Sequence, residues 1–370
     1  MSGKKQGLQY YSLDRILKEK AQYNIIFGER SNGKSYSALL YGMENFFKKG
    51  KQFAIVRRFD DDIKQSKGET FFDAIIADGH ISRLSGGKYT GIKYRSRKFY
   101  LCFHDDEIEK DVVDNKPFAY AFAINVATRY KSTSYPDITT IVFDEFLERE
   151  IYLQNEFVSF MSIVSTIVRS RNDVKIFMLG NTVNQHCPYF TEMGLKDIRN
   201  MKQGSIAVYK YGDSALKVAV EYCANLNKGK PSDTYFAFNN PKLEMITGGV
   251  WEMARYPHLP VKYKPKEVVF TYFIDFDGSL LQCEIVETGD TVFTYIHRKT
   301  TPIQDPDNDV VYTLEYSNRP NYVRRLLKPI TPWQKKIAYF FAGEKVFYQD
   351  NEVGEIVRNY LNASSRDKIT

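Results

Sequence analysis

Few cysteines occur in the chain, and none of them stands at metal-binding or disulfide spacing. The 370 residues include 4 cysteines with no C-x-x-C pair and 5 scattered histidines. The cysteines are Cys102, Cys187, Cys223 and Cys283. Neither a zinc site nor a disulfide framework is therefore expected, and we expect reduced thiols.

Long apolar runs are also missing. No stretch approaches the roughly 20 apolar residues that a membrane-spanning helix needs. The N-terminal segment 1–17 lacks the apolar region and small-residue cleavage site of a secretory signal. We therefore expect an intracellular protein that folds in water and has no membrane partner.

Positive charge is in modest excess. Lys and Arg together number 52 against 45 Asp and Glu, a formal net charge of +7. This excess favours a polyanionic partner, because cationic surfaces release counterions condensed on nucleic acid. Aromatic residues make up 15% of the chain, but composition alone does not put them on a binding face.

The first half of the chain alternates strand-like and helix-like segments. Two segments, Ser35–Phe47 and Glu156–Arg169, carry apolar residues at helical spacing. Short apolar runs lie around them and suit strands buried on both faces of a parallel sheet. These runs are Tyr23–Phe27, Phe53–Val56, Phe99–Phe103, Ile138–Phe143 and Ile176–Leu179. The alternation predicts an α/β core.

The pattern changes after about residue 210. Residues 1–210 are predicted to form one domain, 211–255 a linker or lid, and 256–370 a smaller α+β domain. The linker prediction rests on the polar, Gly- and Pro-containing stretch Asn225–Asp233. Strand-like segments separated by the turns Asp277–Gly278 and Gly289–Asp290 predict a meander in the last domain.

A phosphate-binding loop lies between the first predicted strand and the first predicted helix. Gly28, Glu29, Arg30, Ser31, Asn32, Gly33, Lys34 and Ser35 fit the pattern G-x-x-x-x-G-K-[ST]. The glycines let the backbone wrap a phosphate, Lys34 reaches the β- and γ-phosphates, and the Ser35 hydroxyl ligates Mg²⁺. The fold class is thus predicted to be a P-loop NTPase that binds ATP and Mg²⁺.

A second acidic motif follows at a strand end. The run Thr139–Phe143 precedes Asp144 and Glu145, at the sheet edge where ligands bind in open α/β folds. Asp144 is expected to hold Mg²⁺, and Glu145 to activate the attacking water. Asn181, after the next strand, is predicted to act as a γ-phosphate sensor, and Arg169 to stabilise the transferring phosphate of a neighbouring subunit.

A series of short motifs runs through residues 11–190. They are Asp14-Arg15-Ile16-Leu17, the P-loop with Arg30 inside it, Val56-Arg57-Arg58, Ser134-Tyr135-Pro136, Ile141–Phe146, Gly180-Asn181 and Asn184–Phe190. In their order and spacing, these motifs resemble the DNA-packaging ATPases of small phi29-like tailed phages.

That resemblance implies a homomeric ring, a pentamer in the family, which drives double-stranded DNA into a prohead from its portal. It implies that Arg169 is a trans-acting arginine finger, that Lys131 contacts DNA, and that Arg30 is a basic P-loop position. It implies the cytoplasm of an infected host as location, with transient attachment at the portal vertex. A scaffold RNA stays open as a further partner.

The resemblance also implies a C-terminal domain like an RNase H nuclease that has lost its cutting residues. An active nuclease would need several carboxylates around two metal ions. Asp275, Asp277 and Glu284 are candidates, although Asp277 precedes Gly278 in a predicted turn. The basic side chains favour nucleic-acid contact instead. They are Lys262, Lys264, Lys266, Arg324, Arg325, Lys335 and Lys336.

Three alternatives remain open at this stage. A terminase-like motor would also cut DNA. An assembly protein could hold nucleotide without hydrolysing it, and Glu145 argues against that reading, since a pure binder has no use for it. A small-molecule kinase would need a lid and an acceptor pocket, which the sequence does not reveal.

Overall fold

Two compact units, Met1–Glu252 and Met253–Thr370, make up the chain. The structure is a computed structural model, and it describes residues 10–107, 109–149, 152–224, 251, 253–259 and 261–366. The stretch Asn225–Asp233, predicted to be part of a linker, lies outside the described residues. Within the described residues, no helix is long and apolar enough to cross a membrane.

Ten strands of the first unit form one mixed sheet in its described residues. They are β1 (Tyr23–Gly28), β2 (Gln52–Arg57), β3 (Gly91–Arg95), β4 (Lys98–Asp105), β5 (Lys110–Val113), β6 (Ala119–Ala123), β7 (Ile138–Asp144), β8 (Lys175–Asn181), β9 (Ile206–Lys210) and β10 (Lys217–Tyr222). Their order is β3-β4-β6-β2-β7-β8-β1-β10-β9, with β5 beside β4.

Helices of the first unit lie between these strands. They are α1 (Asp14–Leu17), α2 (Lys34–Lys49), α3 (Gln65–Gly68), α4 (Asp73–Ala77), α5 (His80–Ser85), α6 (Glu156–Val168) and α7 (Pro188–Glu192). Short 3₁₀ segments cover 60–63, 69–72, 124–130 and 198–200. The predicted α/β core is confirmed.

The centre of the sheet is parallel and buried on both faces. The six strands β6, β2, β7, β8, β1 and β10 run parallel. Helix α6 packs through Phe160 and Ile163 on one face, while α2 packs through Leu39 and Met43 against the other. All six residues of β1 are buried, which explains why its sequence is a continuous apolar run.

Two details differ from the sequence-based expectation. Phe99–Phe103, predicted as a parallel strand, belongs to β4, which pairs antiparallel with β3, β5 and β6. The predicted linker 211–255 contains β10, which pairs parallel with β1 and belongs to the first sheet. The short, partly polar sequence of β10, KVAVEY, gave no strong strand signal by itself.

A second sheet forms the other unit. Its strands are β11 (Val268–Phe276), β12 (Ser279–Thr288), β13 (Thr291–Arg298), β14 (Val310–Thr313), β15 (Tyr322–Val323) and β16 (Val346–Tyr348), in the order β15-β14-β11-β12-β13-β16. The helices α8 (Pro332–Ala342) and α9 (Asn351–Arg366) follow, and a 3₁₀ segment covers 265–267.

The meander predicted in the second unit is confirmed for its first three strands. Strands β11, β12 and β13 are successive antiparallel neighbours, whereas β14 and β15 continue the sheet in parallel beside β11. The Asp277–Gly278 turn has positive φ at both residues, 52° and 73°, as a two-residue hairpin requires. Residues of α8 and α9 join the core, including Ile337, Val353 and Tyr360.

Candidate active site

The register of the central strands brings the predicted site residues to one edge of the first sheet. Gly28 of β1 lies beside Asn181 of β8, and Asp144 of β7 lies beside Leu179 of β8. Strand β8 therefore stands between the P-loop strand and the acidic strand. The carboxyl ends of all three strands meet where an open α/β sheet binds its ligand.

Backbone conformations in the P-loop need its glycines. Gly33 has φ of 91°, a left-handed value that glycine adopts without strain. A Cβ added to Gly28 would lie 2.8 Å from Cβ of Cys223, closer than packed carbon atoms approach. The Tyr11 amide donates to the Asn32 carbonyl over 2.8 Å, which ties the N-terminal segment to the loop.

The Lys34 side chain folds back against the P-loop. Its buried Nζ donates to the Glu29 carbonyl, to Asn32 Oδ1 at 3.1 Å and to Asn181 Oδ1 at 3.4 Å. Burial lowers the pKa of the Lys34 amine, and nearby Cys223, Asp144 and Glu29 oppose that shift. The amine thus stands between the P-loop and Asn181, where it can meet a phosphate.

The metal-binding oxygens predicted on two separate motifs are in contact. Ser35 Oγ donates to Asp144 Oδ1 over 2.7 Å. Hydroxyl and carboxylate oxygens are hard ligands of the kind Mg²⁺ prefers, so this donor set fits the ion. Glu145 follows Asp144 with a side chain that is 60% exposed and a left-handed φ of 61°.

Arg57 joins the two acidic residues, a contact that the sequence analysis missed. Its guanidinium donates to Asp144 Oδ2 at 3.0 Å and also to Glu145 Oε2. The arginine lies at the end of β2, which is the sheet neighbour of β7. It belongs to the quoted motif Val56-Arg57-Arg58, but only the strand order reveals which carboxylates it faces.

The pocket at this edge has a volume of about 730 Å³, within the range of small-molecule sites. Besides the motif residues, it is lined by Tyr10, Tyr36, Ala74 and Asp78. The Tyr36 hydroxyl donates to Asp78 Oδ2 over 2.6 Å. Burial is the main cause, and this hydrogen bond the next, of the raised pKa of Tyr36, which is about 12. These side chains come from segments that carried no motif.

Arg169 and Lys131 line a separate cleft, together with Ser162, Ser165 and Thr166. Arg169 follows the last residue of α6, and its Nη2 donates to the Thr133 carbonyl over 3.2 Å. The cleft combines two cationic side chains with three hydroxyl groups. The structure thus brings the two predicted residues together, but away from the pocket that Lys34 lines.

This fold and loop define a nucleotide-binding protein of the P-loop class. The chain belongs to the family of podovirus DNA encapsidation proteins (Gp16), whose model matches residues 5–210. The resemblance drawn from the motifs is thereby confirmed.

Known relatives match about half of the chain. A DNA packaging protein of Bacillus phage phi29 is 28% identical over 184 residues, 49% of this chain and 49% of that protein. The DNA packaging protein of Bacillus phage B103 is 30% identical over 189 residues, 50% of each. The chain thus spans about half the length of the curated relatives it matches.

Solved structures resemble the chain over nearly its whole length. The bacteriophage Phi-29 genome packaging motor assembly contains a chain with 22% identity and a TM-score of 0.59, covering 97% of this chain and 99% of that one. The Phi-28 gp11 DNA packaging motor gives 18% identity and a TM-score of 0.55, with 98% and 100% coverage. At these identities the likeness establishes the fold.

Proposed function

We propose that the chain is an ATP-hydrolysing subunit of a ring that drives double-stranded viral DNA into a prohead. The observation that carries this proposal is the contact between Ser35 Oγ and Asp144 Oδ1, with Glu145 beside it. This contact joins a phosphate loop to an acidic strand end whose second carboxylate, Glu145, is 60% exposed and can act on water. A protein that only held nucleotide would have no use for that second carboxylate.

The proposed roles follow from position in the pocket. The P-loop amides and Lys34 hold the phosphates, and Asn181 lies within reach of Lys34 for sensing the terminal one. Ser35 and Asp144 would hold Mg²⁺, which when bound would neutralise phosphate charge. Glu145 orients and polarises the attacking water.

Arg169 is proposed to act on a neighbouring subunit. Arg171 donates to the carbonyls of Pro136 and Ile138, so the end of α6 is anchored at the start of β7. Asp144 is the last residue of that strand, six residues after Ile138. At a rise of about 3.3 Å per residue, the two residues lie roughly 20 Å apart. An arginine side chain does not span that distance, which supports a site completed by a second subunit.

The remaining parts of the proposal come from the family and from the relatives' names. They comprise double-stranded DNA as substrate, a pentameric ring at the prohead portal, a scaffold RNA as a further partner, Lys131 as a DNA contact, and the cytoplasm of the infected host as location. The excess of positive charge, +7, supports a nucleic-acid partner.

The second unit is proposed to be an RNase H-like domain that contacts DNA or the portal without cutting. Its meander with parallel strands beside β11 supports that architecture. In the described residues no group of three or more His, Cys, Asp or Glu is arranged to hold a metal ion. Burial raises the pKa of Asp275, and the nearby negative charge of Glu315 adds a smaller effect in the same direction.

A cutting motor is the second candidate, because Asp275 and Glu315 are close enough to interact. Incubation of supercoiled and linear DNA with Mg²⁺ or Mn²⁺ distinguishes the two readings. We expect intact DNA. Cleavage that disappears in Asp275→Asn would establish the nuclease instead.

Hydrolysis of ATP with and without double-stranded DNA tests the main proposal. We expect turnover that DNA stimulates, and a loss of at least about 100-fold in Glu145→Gln with ATP binding retained. Glu192→Gln, which neutralises an exposed carboxylate at the end of α7, is the matched control. Binding of ATP without turnover in any assembly condition would favour the non-hydrolysing alternative.

A further inference from the structure

Arg58 and Glu156 form a buried ion pair beside the acidic strand end. The Arg58 side chain is 5% exposed and that of Glu156 is fully buried. Nε of Arg58 donates to both carboxylate oxygens of Glu156, at 3.1 and 2.9 Å. Burial alone would lower the pKa of Arg58, but the hydrogen bond and charge of Glu156 outweigh it and raise that pKa. Arg58 therefore keeps its charge in this buried environment.

The other end of the same guanidinium holds the backbone that follows β7. Nη1 of Arg58 donates to the Glu145 carbonyl at 3.1 Å, and Nη2 donates to the Phe146 carbonyl at 2.8 Å. The Phe146 amide continues the sheet by donating to the Leu179 carbonyl at 3.0 Å. Arg58 thus supplies donors to two successive carbonyls that follow the strand, and its bond to the Phe146 carbonyl is buried.

This clamp fixes a backbone conformation that is unfavourable by itself. Glu145 has φ of 61°, a left-handed conformation that is strained for a residue with a Cβ atom. Such a conformation persists where the surroundings enforce it. The two carbonyls belong to the Glu145–Phe146 peptide and to the peptide that follows it. The Glu145 carbonyl carbon is bonded to Cα of Glu145, so these contacts fix the backbone from which the Glu145 side chain leaves.

Glu156 is held rigidly in turn. Its Oε1 accepts from the Tyr189 hydroxyl at 2.9 Å, and its Oε2 accepts from the Leu153 amide at 2.7 Å. The ring of Tyr152 covers the guanidinium of Arg58 at 5.2 Å. Glu156 is also the first residue of α6, where the helix dipole favours a carboxylate. Each carboxylate oxygen of Glu156 therefore has a donor besides Arg58, either the Tyr189 hydroxyl or the Leu153 amide.

We propose that Arg58 and Glu156 are positioning residues for the catalytic Glu145. Arg57 contacts the carboxylate of Glu145, whereas Arg58 sets the backbone that aims it. The two adjacent arginines thus control one residue at two points. This inference rests on the proposed function, because it takes Glu145 to be the residue that activates water.

The first test separates binding of ATP from turnover. Arg58→Lys keeps the charge opposite Glu156 but loses the planar fork that reaches two carbonyls. We expect kcat for ATP to fall about 10- to 100-fold, the scale of a misplaced catalytic group, with the Kd for ATP unchanged. The control is Arg97→Lys, the same change in an arginine that pairs with Asp60 instead, which should keep kcat within about threefold.

A second variant covers the case in which Arg58→Lys does not fold. Replacement of both partners by Arg58→Met and Glu156→Leu leaves no unpaired buried charge, and such swaps are often tolerated. The same loss of kcat is expected. On a Glu145→Gln background, these substitutions should have no further effect on residual hydrolysis. An unchanged kcat, or an equal additional loss on that background, would overturn the inference.

Hydrogen exchange keeps this inference separate from the hydrolysis proposal. We expect amides in a peptide covering Phe143–Leu147 to exchange faster in Arg58→Lys than in wild type or Arg97→Lys. If the wild type hydrolyses no ATP, the proposed function fails but this measurement still reports on the clamp. Equal exchange in all three proteins would show that Arg58 does not hold the backbone at Glu145.

Discussion

At the scale of single residues, the chemistry of the site depends on charges that face each other across strand ends. Asp144 contacts both Ser35 and Arg57, and Arg57 also reaches Glu145. A cation bound at Ser35 and Asp144 must therefore share one carboxylate with a guanidinium. Two like charges at this distance oppose each other, so Arg57 should weaken metal binding while it holds Glu145.

Removal of Arg57 tests this competition. In Arg57→Ala, we expect the Mg²⁺ concentration for half-maximal ATP binding to fall at least about threefold, because a like charge near the ion is lost. A titration of Mg²⁺ at fixed ATP measures it. Arg95→Ala, which changes an exposed arginine on the edge strand β3, is the control. A higher Mg²⁺ requirement would contradict the competition.

In the second unit, the surroundings of His297 favour its protonated form. Its Nδ1 faces the Arg298 carbonyl at 3.1 Å and its Nε2 faces Glu284 at 3.5 Å, so both nitrogens have acceptors. The hydrogen bond to Glu284 raises the pKa of His297. The same bond, against the effect of burial, lowers the pKa of Glu284 to about 2.

An NMR titration of the His297 ring measures this directly. We expect a pKa above the ordinary value of about 6.5, and a lower pKa in Glu284→Gln. Because the folded pKa is raised, the stabilisation is complete below about pH 6.5 and is lost as the pH rises through the folded pKa. A pKa at or below 6.5 in the wild type would contradict the ion pair.

At the scale of elements, the sequence predicts those helices, strands and loops that have a local sequence signature. Strand β1, the P-loop, α2 and β7 were predictable because an apolar run, a glycine pattern and paired carboxylates each leave a local signature. Strand β10 was not, because it is short and its place beside β1 depends on the rest of the sheet. The partners of Arg57 and Arg58 were unpredictable for the same reason, since strand order decides them.

The close approach of β1 and β10 gives a prediction about Gly28. In Gly28→Ala the new methyl group would meet Cβ of Cys223 at 2.8 Å, and overpacking of this kind costs about 1–3 kcal/mol. Adding Cys223→Gly removes the clashing atom, so the double variant should lose less than the sum of the single losses.

Tryptophan fluorescence can measure the stability of the single and double variants. The ring of Trp251 lies 5.1 Å from that of Phe27 in the first unit, and a Trp333→Phe background removes the tryptophan of the second unit. Unfolding in urea then reports on the first unit alone. Additive losses in the double variant would show that the two residues do not clash.

At the scale of the whole molecule, each subunit is proposed to contribute to two active sites. Glu145 serves the pocket that the chain's own P-loop forms, whereas Arg169 lies in a separate cleft with Lys131. Helix α6 connects these contributions, since Glu156 at its start pairs with Arg58 and Arg169 follows its end. A single chain is then incomplete as an enzyme, and activity depends on assembly.

Complementation between two inactive variants tests this claim most directly. Glu145→Gln subunits lack the catalytic carboxylate but keep Arg169, and Arg169→Ala subunits have the reverse defect. Mixed on DNA in equal amounts, they should hydrolyse ATP faster than the sum of the two variants alone, because an Arg169→Ala site next to a Glu145→Gln subunit receives its arginine. Activity no greater than that sum, with mixed assembly verified, would contradict a shared active site.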